Sequence, residues 1–129
     1  MSELPGGLFA PEGGWRVRIL DLSGGSEGNV VEEIGGFGTL MQANAFARRY
    51  VRDSIERCRT PGMRPKEVLE AWFAYGEDAE VVNASGGWRS TNELGDFVDH
   101  TASAEERDWR SLDPRRTGEG EEDGSAGEE

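Results

Sequence analysis

The chain has 129 residues, a formal net charge of −12 and a hydrophobic content of 35%. This length predicts a single domain, and the presence of only one cysteine, Cys58, excludes an internal disulfide and a cysteine-based metal cluster. The sequence contains no apolar run long enough to cross a membrane and no signal-peptide pattern at its N-terminus. We therefore expect a soluble, cytoplasmic protein that does not bind a membrane.

Charge and apolar residues are unevenly distributed along the chain. Apolar residues concentrate between Trp15 and Val98, which predicts a single α+β domain over residues 15–112. Residues 1–14 are rich in glycine and proline and are expected to form a flexible arm. Residues 113–129 are predicted to form a disordered acidic tail, because their last thirteen residues carry six acids, no base and no large apolar anchor.

The domain is predicted to begin with a β-hairpin. Residues 15–22 alternate between apolar and polar side chains, which is typical of a half-buried strand. A glycine-rich turn follows, and residues 29–34 predict a second strand in which Val30 and Ile34 share one face. We expect these two strands to pair in the antiparallel direction.

A long helix is predicted after the hairpin. Thr39 and Gln42 have the spacing of a capping box, in which each side chain satisfies a backbone donor at the start of a helix. From Ala43 onward, apolar residues recur at intervals of three and four residues, as expected for one buried helical face. The Pro61-Gly62 pair then predicts the end of this helix.

A second helix, a strand and a third helix complete the predicted domain. Pro65 suits the first turn of the second helix, and Gly76 suits its end. Residues 79–84 predict a short strand, and Ser90 with Glu93 repeats the capping-box spacing ahead of a short helix. The order β-β-α-α-β-α predicts a two-layer α+β sandwich, with a small, mainly antiparallel sheet and helices on one face.

Several motifs between residues 15 and 84 resemble those of a family of small bacterial proteins. They are Phe37-Gly38-Thr39 before the first helix, Pro61-Gly62-Met63 after it, and Tyr75-Gly76-Glu77-Asp78-Ala79 after the second helix. In that family, a hairpin leads into F-x-[ST] and the second helix is closed by a Phe-Gly-Glu-Asp-Pro motif, from which Tyr75 and Ala79 depart. The resemblance implies the same order of elements. The family has no established function and supplies no catalytic residues.

The first helix also predicts a basic surface. Seven basic residues face two acidic ones between residues 44 and 66. The candidate binding residues are Arg48, Arg49, Tyr50, Arg52, Arg57 and Arg59. Such arginines can contact phosphates while a tyrosine ring stacks on a base. The alternatives are a solvated arginine face that is partly paired with acids along the helix, or a docking site for the chain's own acidic tail.

The motif turn Tyr75, Gly76, Glu77 and Asp78 contains the densest acidic cluster of the predicted domain. Paired carboxylates can bind a cation, but nothing after Glu80 supplies the distant glutamate of a calcium loop. We therefore predict no metal site here. A carboxylate of the motif is expected to accept hydrogen bonds from free backbone N–H groups in the turn.

No catalytic residue and no cofactor are predicted. Cys58 lies on the apolar face of the first helix, where a thiol behaves as a small hydrophobe, and His100, the only histidine, follows a short helix. The glycine-rich stretches lack the strand-to-helix context and the lysine of a nucleotide-binding loop. An enzyme would need a pocket that joins residues far apart in the sequence, such as Tyr50, Glu77 and His100.

The leading hypothesis is a non-enzymatic protein-interaction or regulatory module, because the apolar residues are used in packing and no polar set is left for chemistry. The partner is expected to be another protein, bound at the exposed sheet edge or at the arginine-rich helix. One alternative is nucleic-acid binding through that helix, although the net charge of −12 would repel a polyanion. Another is an acidic mimic of nucleic acid that inhibits a partner. The sequence leaves the oligomeric state open.

Overall fold

The computed structural model describes residues 11–23 and 29–116. Its helices and strands, in chain order, are β1 (Trp15–Asp21), β2 (Asn29–Phe37), α1 (Leu40–Cys58), α2 (Pro65–Tyr75), β3 (Glu77–Val81) and α3 (Leu94–Asp99). Short 3-10 turns cover Ser90–Asn92 and Arg110–Leu112. The predicted α+β class is confirmed, and the order β-β-α-α-β-α matches apart from these two turns.

The three strands form one antiparallel sheet in the order β2-β1-β3. Trp15, Val17 and Ile19 of the central strand are buried against the helices, as their alternation predicts. The other face of the sheet is polar. There, Arg18 lies between Glu33 of β2 and Glu80 of β3, with nitrogen–oxygen distances of 3.5 and 3.3 Å. The sheet therefore has one apolar face toward the helices and one charged face.

A β-bulge in the hairpin changes which residues of β2 face the core. Ile34 lies opposite Val17 and is buried, whereas Val30 lies opposite Leu20 and is exposed. The register shifts by one residue after Ile19. Because a shift of one residue moves a side chain to the opposite face of a sheet, the prediction that Val30 and Ile34 share a face is wrong.

Helix α1 begins where its cap predicts. The Thr39 side chain accepts a hydrogen bond from the backbone N–H of Gln42 at 3.0 Å. The buried face of α1 packs on the sheet and completes the core. The largest fully buried side chains are Trp72, Phe37, Phe46 and Phe97. The core therefore lies between α1 and the sheet, with one aromatic ring each from α2 and α3.

The strand β3 begins earlier than predicted, at Glu77 instead of Ala79. The Gly76 carbonyl accepts a hydrogen bond from the backbone N–H of Leu22 at 3.0 Å, so sheet pairing starts directly after α2. Ala79 and Val81 face the core. The acidic pair of the motif therefore lies in a strand and not in a turn.

The predicted capping role of Glu93 is also wrong. Glu93 is itself the N-cap residue of α3, and its carboxylate accepts hydrogen bonds from Arg48 Nε and Nη2, both at 2.9 Å, and one from the Trp88 indole at 2.7 Å. Charge-assisted bonds to arginine are stronger than a neutral cap bond. A tertiary contact therefore replaces the local one that the spacing predicts.

The described chain continues past residue 112. Asp113 is buried, and Arg115 donates hydrogen bonds to Asp113 and to Glu32 of β2. Residues 113–116 therefore pack against the domain. The rest of the predicted acidic tail, residues 117–129, and residues 1–10 of the predicted arm lie outside the described residues.

Four residues join α1, α2 and β3, and we call them the Trp72 junction: Ser54, Trp72, Gly76 and Glu77. The Ser54 hydroxyl oxygen accepts hydrogen bonds from the Trp72 indole N–H at 3.2 Å and from the Glu77 backbone N–H at 2.9 Å. Gly76 packs so closely against the indole that a Cβ atom on residue 76 would lie 2.2 Å from Trp72 Cδ1. Only glycine fits this position without displacing the ring.

We predict that Gly76→Ala destabilises the protein by about 1–3 kcal/mol, because the added methyl group overpacks the Trp72 ring. The matched control is Gly95→Ala in α3, where a Cβ atom meets nothing within 4 Å. Gly95→Ala should stabilise the fold by about 0.5–1 kcal/mol, since alanine restricts the unfolded chain. Urea unfolding measures both changes, and equal effects of the two substitutions would contradict the close contact at Gly76.

Candidate functional site

A cleft of about 550 Å³ opens beside the Trp72 junction, between the end of α1, α2 and the start of β3. It continues into a depression of about 520 Å³ along α2, which shares Met63, Ala71 and Tyr75 with the cleft. We call the two together the Tyr75 groove. Its apolar lining includes Cys58, Met63, Ala71, Ala74 and Tyr75, and its charged lining is Asp21, Arg57, Glu67, Glu70 and Glu77.

Tyr75 is the most exposed large hydrophobic residue of this groove. It is the last residue of α2, and 77% of it is accessible to solvent. The next residue, Gly76, is buried on the Trp72 indole, so the backbone that carries Tyr75 is held in place. Phe73 is also 53% exposed on α2, but it does not line the groove. Tyr75 is therefore an exposed aromatic side chain on a fixed backbone.

The groove brings together residues from both sets that the sequence singled out. The Tyr50 hydroxyl donates a hydrogen bond to the Glu77 carboxylate at 2.6 Å, and Arg57 lies 3.8 Å from the same carboxylate. Burial and this bond to Glu77 raise the pKa of Tyr50 above its usual value, so the phenol stays protonated. Part of the predicted basic surface therefore adjoins the predicted motif turn.

Among the described residues that line the groove, neither the Cys58 thiol nor the Ser54 hydroxyl is placed as an activated nucleophile. Burial raises the pKa of the Cys58 thiol, although Arg57 opposes this, so the thiol is neutral near pH 7. The Ser54 hydroxyl oxygen accepts two hydrogen bonds of the Trp72 junction. His100 does not join Tyr50 and Glu77, and its ring lies 3.2 Å from the Asp96 carbonyl. The pocket that an enzyme would need from Tyr50, Glu77 and His100 is therefore not assembled.

The remaining arginines of the predicted basic surface point in several directions and bind groups within the protein. Arg48 pairs with Glu93, and Arg59 donates to Glu56 and to two carbonyls of α3. Arg49 donates to the Asp108 carbonyl at 3.1 Å. These bonds hold the last third of the described chain against α1. These arginines therefore do not form one open basic surface.

Arg52 and Asp53 are charged residues that the sequence did not identify as buried. Arg52 is 5% exposed, stacks on the Phe97 ring at 4.6 Å and lies 3.3 Å from Glu106. Asp53 accepts hydrogen bonds from Arg107 and Trp109 at 2.8 and 3.2 Å. These partners lie forty-five or more positions away in the chain, so helical spacing carries no signal for them. The contact of Asp53 with Arg57, at 3.5 Å, is the one that helical spacing predicts.

Asp78, the last residue of the motif turn, lies in β3 opposite Leu20 and does not line the groove. Its carboxylate accepts a hydrogen bond from the Ala79 backbone N–H at 2.8 Å. Burial raises the pKa of Asp78 above its usual value, and the nearby Ser90 side chain and the Ala79 N–H only partly oppose the shift. The predicted backbone bond to a carboxylate is therefore present at Asp78, but in a strand.

Comparison with protein-family models, with curated proteins and with solved structures found no match. The resemblance to the family of small bacterial proteins therefore stays a prediction. Among the described residues, no helix is both long enough and apolar enough to cross a membrane. In residues 11–23 and 29–116, no group of three or more histidine, cysteine, aspartate and glutamate side chains is placed to hold a metal ion.

We predict that Asp78→Asn stabilises the protein at pH 7. The pKa of Asp78 is higher in the folded than in the unfolded protein, so ionisation of Asp78 destabilises the fold. The stability of the protonated form is fully present below the unfolded pKa and is lost as pH rises through the folded pKa. The advantage of the asparagine variant should therefore shrink as pH falls toward about 3, where both side chains are neutral. Urea midpoints across this range measure it.

Asp21 provides a control of opposite sign. Hydrogen bonds from the Ser23 backbone and side chain lower its pKa, so the ionised form is favoured in the folded state. Asp21→Asn should therefore give no stabilisation at pH 7. A loss of stability at pH 7 in Asp78→Asn would contradict the assignment of Asp78 as a destabilising buried carboxylate.

Proposed function

We propose that the protein is a non-enzymatic interaction module that binds a segment of a partner protein in the Tyr75 groove. The observation that carries this proposal is the exposure of Tyr75, 77% accessible at the centre of an apolar groove. Tyrosine is enriched among the residues that dominate binding energy at protein interfaces. A large aromatic side chain in this position favours binding to an apolar anchor of the partner.

The groove is also built on a rigid base. Its walls come from α1, α2 and the start of β3, and the Trp72 junction bonds these three elements to one another. A preformed site loses little conformational entropy when a ligand binds. This favours a partner segment that is extended and flexible before binding, while the groove keeps its conformation.

The charges around the groove define the chemistry of the partner. Four acids and one arginine, Arg57, line it. Glu77 lies near Arg57 and Glu67 is paired with Arg64, so Asp21 and Glu70 are the lining acids without a basic partner among the described residues. A segment with basic residues on either side of its apolar anchor would complement these acids. The formal net charge of −12 would also attract a basic partner at long range.

The groove replaces the two contact surfaces that the sequence suggested. Both β2 and β3 are edge strands of the sheet. The strand β2 contains a bulge, which weakens regular pairing with an added strand, and Glu80 of β3 already forms a β-bridge with Arg89. The arginines proposed for nucleic-acid contacts, such as Arg48 and Arg59, already bind carboxylates. The acidic groove disfavours a polyanion as well. No observation on the residues that line the groove favours nucleic acid over a basic protein segment.

A displayed library of random peptides, screened against the full-length protein, tests the proposal. We expect the selected peptides to share an apolar anchor flanked by lysine or arginine, and to bind more weakly as salt rises. Tyr75→Ala should weaken their binding by at least about tenfold, which corresponds to about 1.4 kcal/mol. Fluorescence anisotropy with labelled peptides measures this change.

Phe73→Ala is the matched control, because Phe73 is an exposed aromatic residue of α2 outside the groove. It should leave peptide affinity unchanged. Equal loss in both variants would indicate a general effect on α2. Selected peptides that bind Tyr75→Ala as tightly as the unchanged protein would overturn the proposal, and so would failure of the library to give any binder.

A further inference from the structure

The pairing of the arginines is uneven over the molecule. Of the thirteen arginines, ten lie within ion-pair distance of a carboxylate among the described residues. The other three, for which residues 11–23 and 29–116 offer no carboxylate partner, are Arg49, Arg110 and Arg116. Most arginines of the described residues are thus in ion pairs, and these three are the exceptions.

These three arginines belong to one part of the fold. Arg110 and Arg116 lie in the last described segment, and Arg49 donates to the carbonyl of Asp108 at the start of that segment. The Arg110 guanidinium stacks on the Trp109 ring at 4.3 Å. We call Arg49, Arg110 and Arg116 the C-terminal basic surface.

A depression of about 470 Å³ lies at this surface, lined by Trp109, Arg110, Asp113, Arg115 and Arg116. Asp113 is the one acid in this lining, and it is already bonded to the backbone and side chain of Arg115. Burial acts to raise the pKa of Asp113, but these bonds outweigh it and lower the pKa. The depression is therefore cationic, and its aspartate is held by an arginine.

We propose that the C-terminal basic surface binds the chain's own acidic tail, residues 117–129. The tail begins directly after Arg116 and carries six acids and no base. Its thirteen residues can reach about 40 Å when extended, enough to fold back over the surface. Tethering also gives the tail an effective concentration on the order of millimolar at the surface, which a separate acidic peptide does not have.

The charge distribution selects this surface over the Tyr75 groove. The groove has two acids without a described basic partner, Asp21 and Glu70, and repels the tail, whereas the basic surface has three arginines without a described carboxylate partner. Exposed ion pairs are weak individually, at about 0.2–1 kcal/mol each, so the contact depends on several pairs and is sensitive to salt. The tail therefore shields the basic surface from other polyanions and leaves the proposed partner groove open.

A spin label on the tail of the full-length protein tests the inference. The label is attached at Ser125→Cys in a Cys58→Ala background, and the broadening of backbone amide signals is measured by NMR. We expect selective broadening at residues 108–116 and near Arg49 at low salt. It should disappear at about 1 M salt, where the Debye length is about 3 Å.

Two sets of variants separate tail docking from other causes. Arg110→Glu with Arg116→Glu should remove the broadening, as should replacement of the six tail acids by their amides. Arg64→Glu with Lys66→Glu, an equal change of charge at the start of α2, should leave it intact. Broadening that survives the first pair, or lies on another surface, would overturn the inference. Broadening seen only between separately labelled molecules would instead identify a second copy of the chain as the occupant and overturn it too.

Discussion

The other features of the structure depend on the two hydrogen bonds that the Ser54 hydroxyl oxygen accepts. It accepts hydrogen bonds from the Trp72 indole and the Glu77 amide, and thereby links one residue each of α1, α2 and β3. The close approach of Gly76 to the same indole ends α2 and starts the third strand without a connecting loop. As a result, Tyr75 lies on the last turn of a helix whose end is fixed, and Glu77 lies within reach of Tyr50.

Ion pairs organise the rest of the molecule and explain why an arginine-rich helix does not form an open basic surface. Arg48 and Arg52 of α1, with Arg59 directly after it, hold α3 and the segment after it through carboxylates and backbone carbonyls. Asp53 holds the chain at Arg107 and Trp109 in the same way. After this pairing, the described surface has an acidic groove around Tyr75 and a basic surface at the last segment. We infer separate ligands for the two, a basic partner segment and the acidic tail.

The sequence predicts those parts of the structure that local patterns determine. The alternation of β1, the Thr39 cap and the glycine that ends α2 all report contacts within a few residues, and the structure has each of them. The bulge that exposes Val30 and the burial of Arg52 depend on partners distant in the chain, so spacing does not show them. The candidate site lies between these cases. Tyr75 and Glu77 stand out as a motif, but the groove exists only because Met63 and Ala71 pack beside them.

Hydrogen exchange measures whether the Trp72 junction holds α1, α2 and β3 together. The Trp72 indole N–H and the Glu77 amide are both bonded to Ser54 inside the fold, so we expect them to exchange only when the whole domain unfolds. NMR should then give both protons an opening free energy equal to the free energy of unfolding measured with urea. Exchange of either proton through a local opening well below that value would show that α1, α2 and β3 are not held together by this junction.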